Sequence, residues 1–459
     1  MAYTFQGGIR MNEYKNTEGC PIEPITPPAT VSVSMSQHIG APCTPAVQVG
    51  DTVDKGQVIG RVEKGLSCPV HASVSGKVTK IALHQTADGR MVSYIDIEND
   101  FEDRISPEVR PFTQPLEETT SEQIVEVVRQ AGISGMGGAA FPTYAKIQSA
   151  VGKADTLIVN GAECEPYITA NHRLFLEQGE NILNGVKILL RGVGIQEAII
   201  AIEDNKPDAI AHMKALTQDI PYIRVAVLKT KYPQGDERQL IYALKKVELP
   251  TGKLPADAGC VIFNAETCAA VYRAFATGMP LVERVMTCDG DCVREPKNIF
   301  VPIGTSYRDV IAFCGGLKKE PHKIIDGGPM MGMAQFSVDT TVKKSTSALL
   351  VFSDSDKKQQ NAVCIRCGRC VQHCPMHLMP NYLAAFTRKA DWDMLEQFDI
   401  MSCVECGTCS YGCPGYVPIV QYIKKAKGII RERQQAMAQK LKENEVKKTA
   451  EPKAEKEGL

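Results

Sequence analysis

The spacing of hydrophobic positions changes along the chain, and each change marks a different kind of element. Residues 1–30 are rich in proline and glycine and read as an extended arm. Short apolar runs then recur at 31–35, 58–62, 74–78 and 92–97, with turn residues between them. Regularly spaced runs of this kind predict a small all-β unit. A proline- and acid-rich stretch over 103–118 reads as a linker. Thr120, with Gln123 three positions on, forms a capping-box pattern ahead of a helix predicted over 122–131. From there to about residue 285 helical and strand periods alternate, which is an α/β signature. Residues 297–350 return to short strands and glycine turns, at Gly315-Gly316 and Gly327-Gly328. A cysteine-rich segment spans 360–425, and the stretch 381–397 inside it, which contains Trp392, reads as helical. The tail over 424–459 is dominated by Lys, Glu, Gln and Ala, and its last part is expected to be disordered because it cannot bury a core.

Composition narrows the class. A chain of 459 residues is too long for one core. Its 44% hydrophobic and 23% charged residues are ordinary for a soluble globular protein. A net charge of -1 provides no overall field that would point to nucleic acid or acidic substrates. The opening MAYTFQGGIR lacks a basic region followed by an apolar stretch, so no signal peptide is expected. No window approaches the roughly 18 apolar residues of a membrane span. Seventeen cysteines in such a chain point to a reducing compartment, where spaced cysteines usually mean metal or redox chemistry.

The strongest chemical signal lies in that cysteine segment. Cys364, Cys367, Cys370 and Cys374 follow C-x2-C-x2-C-x3-C, with Pro375 next. Cys403, Cys406, Cys409 and Cys413 repeat the pattern 39 positions on, with Pro414 next. Two-residue gaps let three thiolates of one tight loop reach three irons of a cubane, while the fourth cysteine serves the other cluster. The expected sets are therefore Cys364, Cys367, Cys370 and Cys413 for one [4Fe–4S] cluster, and Cys374, Cys403, Cys406 and Cys409 for the other. Zinc would call for four thiolates in two pairs instead. The long helical spacer resembles the ferredoxin modules of larger oxidoreductases.

A second signal is the glycine-rich stretch from Gly132 to Pro142, GISGMGGAAFP. Successive glycines let backbone N–H groups approach a phosphate or a flat ring. The stretch follows a helix and its glycine spacing is not that of a Rossmann fingerprint; by itself it also suits a tight turn. A short apolar strand at 156–159 then runs into Asn160-Gly161-Ala162-Glu163-Cys164-Glu165-Pro166, and further on come Gly235-Asp236-Glu237 and Asn264-Ala265-Glu266-Thr267. Polar loops at strand ends are where α/β folds place ligands.

Taken together, these four stretches resemble the flavin- and NADH-binding subunit of respiratory complex I, in the same order. The resemblance implies an FMN site with an adjoining NAD(H) site. Gly135, Gly137, Gly138 and Lys146 would cradle the FMN phosphate and ring edge. Asn160, Glu163, Asn264 and Thr267 would hold the ribityl and phosphate region, and Gly235, Asp236 and Glu237 would lie beside the isoalloxazine and nicotinamide. Phe141 would stack on the NADH adenine and Glu165 would contact the dinucleotide. No residue is assigned as a catalytic acid or base. The family's arginine in the glycine loop is Met136 here and its acidic-loop aspartate is Ala162, so the charged contacts of those two family positions are not carried over.

Upstream, the stretch 49–60 and Ser73-Val74-Ser75-Gly76-Lys77-Val78 resemble a barrel–sandwich hybrid of the lipoyl type. Lys64 lies near its hairpin tip but lacks the motif of a modified lysine, so a structural β unit is the expectation. The whole order is similar to the C subunits of Rnf electron transport complexes, to about residue 430. That similarity implies a multidomain α/β protein with small β units: an arm and barrel–sandwich hybrid over 1–102, an FMN/NADH-binding α/β domain over 103–285 and a β-grasp-like ligand-binding domain over 286–355. A helical double-[4Fe–4S] ferredoxin domain over 356–425 and a charged tail over 426–459 complete it. The chain would be the peripheral, NAD(H)-reacting subunit on the cytoplasmic face of a bacterial membrane. It would meet integral membrane subunits and a ferredoxin-like iron–sulfur subunit, and the complex would couple ferredoxin–NAD electron transfer to Na⁺ or H⁺ movement. A soluble flavin/iron–sulfur reductase of another acceptor, such as cobalamin, and a non-enzymatic electron wire are the alternatives. Cys288-x3-Cys292 and the remaining cysteines read as packed thiols, and the basic stretch Lys424, Lys425, Lys427, Arg431 and Arg433 reads as a solvated helix face.

Overall fold

A computed structural model describes residues 2–62, 64–353 and 362–450, with side chains to residue 440. The chain divides into two compact units, Met1–Phe5 with Ile9–Lys357, and Gln6–Gly8 with Lys358–Leu459.

The larger unit begins with two small β-sheets. One has the strand order Thr30–Ser34, Met91–Asn99, Gly76–Gln85, Thr52–Val53, all antiparallel; the other joins Thr44–Pro45, Val58–Arg61 and Val70–His71. Alternate residues point inward, and Val31, Val33, Val78, Ile95 and Ile97 are fully buried. Gly76 has φ +152°, and a Cβ there would come within 1.9 Å of the Glu98 carbonyl oxygen, so the close approach of these strands needs glycine. Lys64 is exposed between Val58–Arg61 and Val70–His71.

The α/β part follows. The helix Ser121–Gln130 begins at Thr120 with the expected reciprocal capping box to Gln123. Four parallel strands lie in the order Ile223–Leu228, Glu197–Glu203, Thr156–Gly161, Cys260–Asn264. Both faces of each strand are apolar, as a parallel sheet covered by helices requires. Leu157, Val159, Ile200 and Phe263 face one core together with Ile182, Val186 and Leu189, while Ile158, Ile199 and Ile262 face another with Leu240 and Ile241. The chain winds outward from Thr156–Gly161 in one direction and then returns to add Cys260–Asn264 on the opposite side. The carboxyl ends of these two neighbours therefore form a topological switch point.

A six-stranded mixed sheet completes the unit, in the order Ile22–Pro24, Lys297–Pro302, Glu283–Asp289, Ala348–Phe352, Lys323–Asp326, Met333–Gln335. The N-terminal arm supplies its first strand, and nearer its start the arm bridges Tyr3 to Leu228 and Ile9 to Tyr232. Cys288, Cys292 and Cys314 are packed thiols in the core of this sheet.

In the smaller unit, Leu383, Leu395, Ile400, Ile423, Ala426 and Ile430 form a helical core. The predicted helix over 381–397 is two helices, Pro380–Lys389 and Trp392–Gln397, because Ala390 turns left-handed at φ 53°. The helix Ile419–Ala450 runs well past residue 426, as its run of strong helix formers permits, and the last part of the tail, 451–459, lies outside the described residues. Among the described residues no helix is long and apolar enough to cross a membrane.

Candidate functional sites

The glycine loop sits at the switch point. Leaving Ser121–Gln130, the chain turns at Gly132 and folds back on itself, with the Gly135 N–H donating to Phe141 O at 2.9 Å and the Thr143 N–H to Ile133 O at 3.0 Å. The tip, residues 137–139, is exposed, and Phe141 is half-buried at the base. Asn264 caps the helix Ala265–Thr277 by accepting the Glu266 N–H at 2.9 Å. The loop rests on that cap: a Cβ on Gly137 would lie 2.9 Å from Asn264 Nδ2, and the Met136 N–H donates to Thr267 Oγ1 at 3.0 Å. Gly138 has φ +84° with open space around its Cβ position. A glycine loop laid over a helix N-terminus is a ready site for an anionic group.

The neighbouring stretches converge there. Asn160 donates to Gly235 O at 2.9 Å and accepts the Ala162 N–H at 3.1 Å, tying the end of its strand to the turn that precedes the helix Glu237–Lys245. Lys146 donates to Glu237 Oε1 at 2.6 Å and to Ile262 O at 3.0 Å. Asp236 caps the helix Glu237–Lys245, and burial pushes its carboxyl up to about 6. Ser134 Oγ, Thr143 Oγ1 and both amide atoms of Gln234 are buried without a hydrogen-bond partner among the described residues. Buried polar atoms of this kind are costly unless something completes them. The residues present thus suit a phosphate-bearing flavin.

Two predicted residues have other partners. The Glu163 carboxylate accepts the Asn171 N–H at 2.7 Å and the His172 N–H at 3.0 Å, at the start of the helix Ala170–Glu177. Glu165 accepts the N–H groups of Met330 at 3.0 Å and Met331 at 2.9 Å in the six-stranded-sheet region, and burial raises its carboxyl to about 7. Met136 is buried and Ala162 half-buried.

Two supports were not visible in the sequence. Lys15, from the N-terminal arm, donates to the carbonyls of Glu163, Glu165 and Ile168 at 2.7, 2.9 and 2.7 Å, and so holds the acidic loop in place. Arg284 pairs with Glu266 at 2.7 Å and donates to Met136 O at 3.3 Å, fixing the glycine loop from below. Contacts across such long sequence separations leave no local signal. A cleft of about 410 Å³ opens at the strand ends beside this region, lined by Lys15, Glu165, Asn205, Lys229, Lys231 and Tyr232 among others.

In the smaller unit the cysteine repeat is also a repeat of backbone shape. Arg366 and Glu405 are left-handed at φ 57° and 58°, Gly368 and Gly407 at 76° and 81°, and His377 and Tyr416 at 54° and 53°. Left-handed non-glycine residues carry strain, which persists where the surroundings over-determine it. The thiols group across the repeat. Burial raises the Cys370 thiol, and Cys413 and Cys364 add to the shift. Burial raises Cys409, with Cys403, Cys406 and Cys374 adding. Burial pushes Cys403 up to about 12, with Cys406 and Cys374 adding and Lys427 opposing. Among the described residues no three candidate ligands converge as a single metal ion would require. Sulfur-only donors in two groups suit polynuclear iron–sulfur clusters, which bind deprotonated thiolates.

Lys427, expected on a solvated face, is buried instead. It donates to Cys403 O at 2.7 Å and pairs with Glu405 at 2.7 Å, because the helix Ile419–Ala450 passes directly over the second cysteine loop.

The chain matches four known families: the RnfC barrel sandwich hybrid domain over residues 3–102, the Nuo51 FMN-binding domain over 128–273, the SLBB domain over 285–334 and the 4Fe-4S dicluster domain over 361–417. It is 44% identical over 402 residues to the C subunit of the Na⁺-translocating ferredoxin:NAD⁺ oxidoreductase complex of Acetobacterium woodii, covering 87% of this chain and 90% of that one. It is 42% identical over 431 residues to the proton-translocating counterpart of Clostridium ljungdahlii, covering 93% and 94%. With the C subunit of the ion-translocating oxidoreductase complex of Rhodobacter capsulatus it shares 38% over 439 residues, covering 94% and 84%.

Fold and sites define the class: an electron-transferring flavoprotein that uses FMN and two [4Fe–4S] clusters, with a barrel–sandwich hybrid and an SLBB unit attached. Within that class, the chain belongs to the C subunits of the ion-translocating Rnf oxidoreductase complexes.

Proposed function

We propose that the chain is the peripheral, NAD(H)-reacting subunit of a complex that exchanges electrons between ferredoxin and NAD and couples this to Na⁺ or H⁺ movement, at the cytoplasmic face of the membrane. Its partners in that reading are integral membrane subunits and a ferredoxin-like iron–sulfur subunit. The observation that carries the proposal is the convergence of four distant stretches, at Gly137, Asn160, Gly235 and Asn264, on the strand switch point.

Bound FMN supplies the conversion between the two electrons of a hydride and the single electrons that iron–sulfur clusters accept. The chain's own residues position and tune. Gly137 and Gly138 present backbone N–H groups, Gly135 closes the loop by donating to Phe141 O, and Asn264 and Thr267 hold the loop in place. Lys146 offers a cation whose charge Glu237 balances. Asn160 fixes Gly235 relative to the acidic loop, and Asp236 sets the start of the following helix. Glu163 acts through the helix it caps and Glu165 through the loop it holds, so both are read as positioning residues. The cleft lined by Lys229, Lys231 and Asn205 is suited to a dinucleotide, with Phe141 at the base of the glycine loop. Cys364, Cys367, Cys370 and Cys413 hold one cluster and Cys374, Cys403, Cys406 and Cys409 the other, with Lys427 placing a positive charge beside the second.

Cofactor extraction with iron analysis on the purified chain, followed by NADH titration under absorbance, tests this reading. One FMN, two clusters' worth of iron and NADH-dependent bleaching are expected; iron without flavin and without bleaching refutes it. The crossed ligation has its own test. Cys374→Ala should remove the electron paramagnetic resonance signal of the second-loop cluster, and loss of the first-loop signal alone would overturn the assignment.

A further inference from the structure

The two cysteine loops share a backbone shape but differ in exposure. Residues 362–369, with Cys364 and Cys367 among them, are all exposed, whereas Cys374, Cys406 and Cys409 are buried. The helix Ile419–Ala450 covers the second loop through Lys427, which pairs with Glu405; the first loop has Arg366 at the equivalent place. The first loop also presents side chains that water does not favour: Val363 is 62% exposed and Ile365 is 65% exposed. Gly415 packs on this loop, since a Cβ there would lie 2.1 Å from Val363 O, and that places the exposed Tyr416 beside it. Tyr411, two residues before Cys413, is exposed as well. Among the described residues neither Arg366 nor Arg369 forms an ion pair.

An apolar centre with a charged rim is the anatomy of a protein interface, and small interfaces of this kind serve brief electron-transfer encounters. Electron transfer weakens steeply with distance, so a partner gains most by approaching a cluster whose ligands lie at the surface. The chain as a whole carries only -1, so attraction has to come from a local patch, and the side chains of 362–369 include two arginines and no acid to offset the charge of the thiolate-bound cluster.

We propose that the loop 362–369, with Tyr411 and Tyr416, is the port through which this chain exchanges electrons with another protein, and that the partner is an acidic one-electron iron–sulfur protein. The cluster held by Cys364, Cys367, Cys370 and Cys413 is then the outward terminal, and the one held by Cys374, Cys403, Cys406 and Cys409 is internal. Each encounter moves one electron: the donor cluster is oxidised by one equivalent, the acceptor cluster is reduced by one, and no bond forms or breaks. The proposal rests on the two-cluster reading above, which iron analysis of the same preparation tests separately. A preparation lacking iron refutes that reading rather than the port.

Two measurements on the cluster-loaded full chain decide the matter. In the first, a small acidic ferredoxin is titrated by surface plasmon resonance. Arg366→Glu combined with Arg369→Glu should weaken binding about tenfold or more at low salt, and high salt should erase the difference. Unchanged affinity overturns the port; if that variant loses iron, Val363→Ser with Ile365→Ser is titrated instead and the same criterion applies. In the second, a soluble dysprosium chelate is added and cluster relaxation is followed by electron paramagnetic resonance. The signal that Cys364→Ser abolishes should be the more strongly relaxed, and stronger relaxation of the other signal overturns the proposal.

Discussion

Replacing Arg284 by methionine tests the packing beneath the glycine loop. Arg284 and Glu266 pair at 2.7 Å with side chains 1% and 3% exposed. Glu266 also accepts the Val285 N–H, and Arg284 also donates to Lys344 O at 2.6 Å and Met136 O at 3.3 Å. Methionine refills much of the guanidinium's volume, so the main loss is electrostatic. Breaking a buried pair by removing one partner costs about 3–5 kcal/mol. Burial already raises the Glu266 carboxyl against the pull of Arg284, so without Arg284 the group takes up a proton and part of the cost is relieved. With an unfolding entropy of about 2.1 cal/mol/K per residue over the larger unit, each kcal/mol shifts the transition by roughly 1–2 °C, so it should fall by about 3–10 °C. Differential scanning calorimetry of the flavin-free protein provides the assay. Arg308→Met is the control, because the Arg308–Asp339 pair is 64% and 69% exposed and should be worth less than about 1 kcal/mol. Combining Arg284→Met with Glu266→Met should recover a large part of the loss, since an apolar pair leaves no unpaired charge. If Arg284→Met shifts the transition no more than the control does, the buried pair does not brace the loop.

Two further outcomes are expected. Glu165 has a native pKa near 7, raised by burial, above its unfolded value, so the native state holds the extra proton. Stability should therefore fall as pH rises from about 4.5 to 7, by at most about 3 kcal/mol from this group. In thermal melts across that range, Glu165→Gln should gain on the parent as pH rises, and a difference that stays flat would refute the assignment. At Gly185 an added Cβ would lie 1.8 Å from Cys268 O, where two helices cross. Gly185→Ala should cost about 1–3 kcal/mol or more, visible as a lower melting temperature, and a neutral result would mean that the helices can separate freely.

Much of the local structure could be read from residue order alone. The capping box at Thr120 and Gln123 places a helix start to within a residue, because both partners lie within one turn. Alternating apolar runs locate strands such as Met91–Asn99, since the side-chain period of a strand is a property of the strand itself. The helix break at Ala390 and the helical continuation past residue 426 were not legible, because propensity is weak and neighbouring packing decides.

Sequence alone determined the order of residue types: eight cysteines in two spaced runs, a glycine-rich stretch after a helix pattern, and the polar stretches that hold Asn160, Gly235 and Asn264. These depend on residue type and on spacings of a few positions. Tertiary structure decided which groups meet. Lys15 reaches the acidic loop from about 150 positions away, Arg284 braces Met136 across the core, and the arm closes an edge of the six-stranded sheet. It also set the exposure of the two cysteine loops, which share one motif but differ in what covers them. A spacing repeats in the sequence; the burial of a loop depends on which distant helix packs over it.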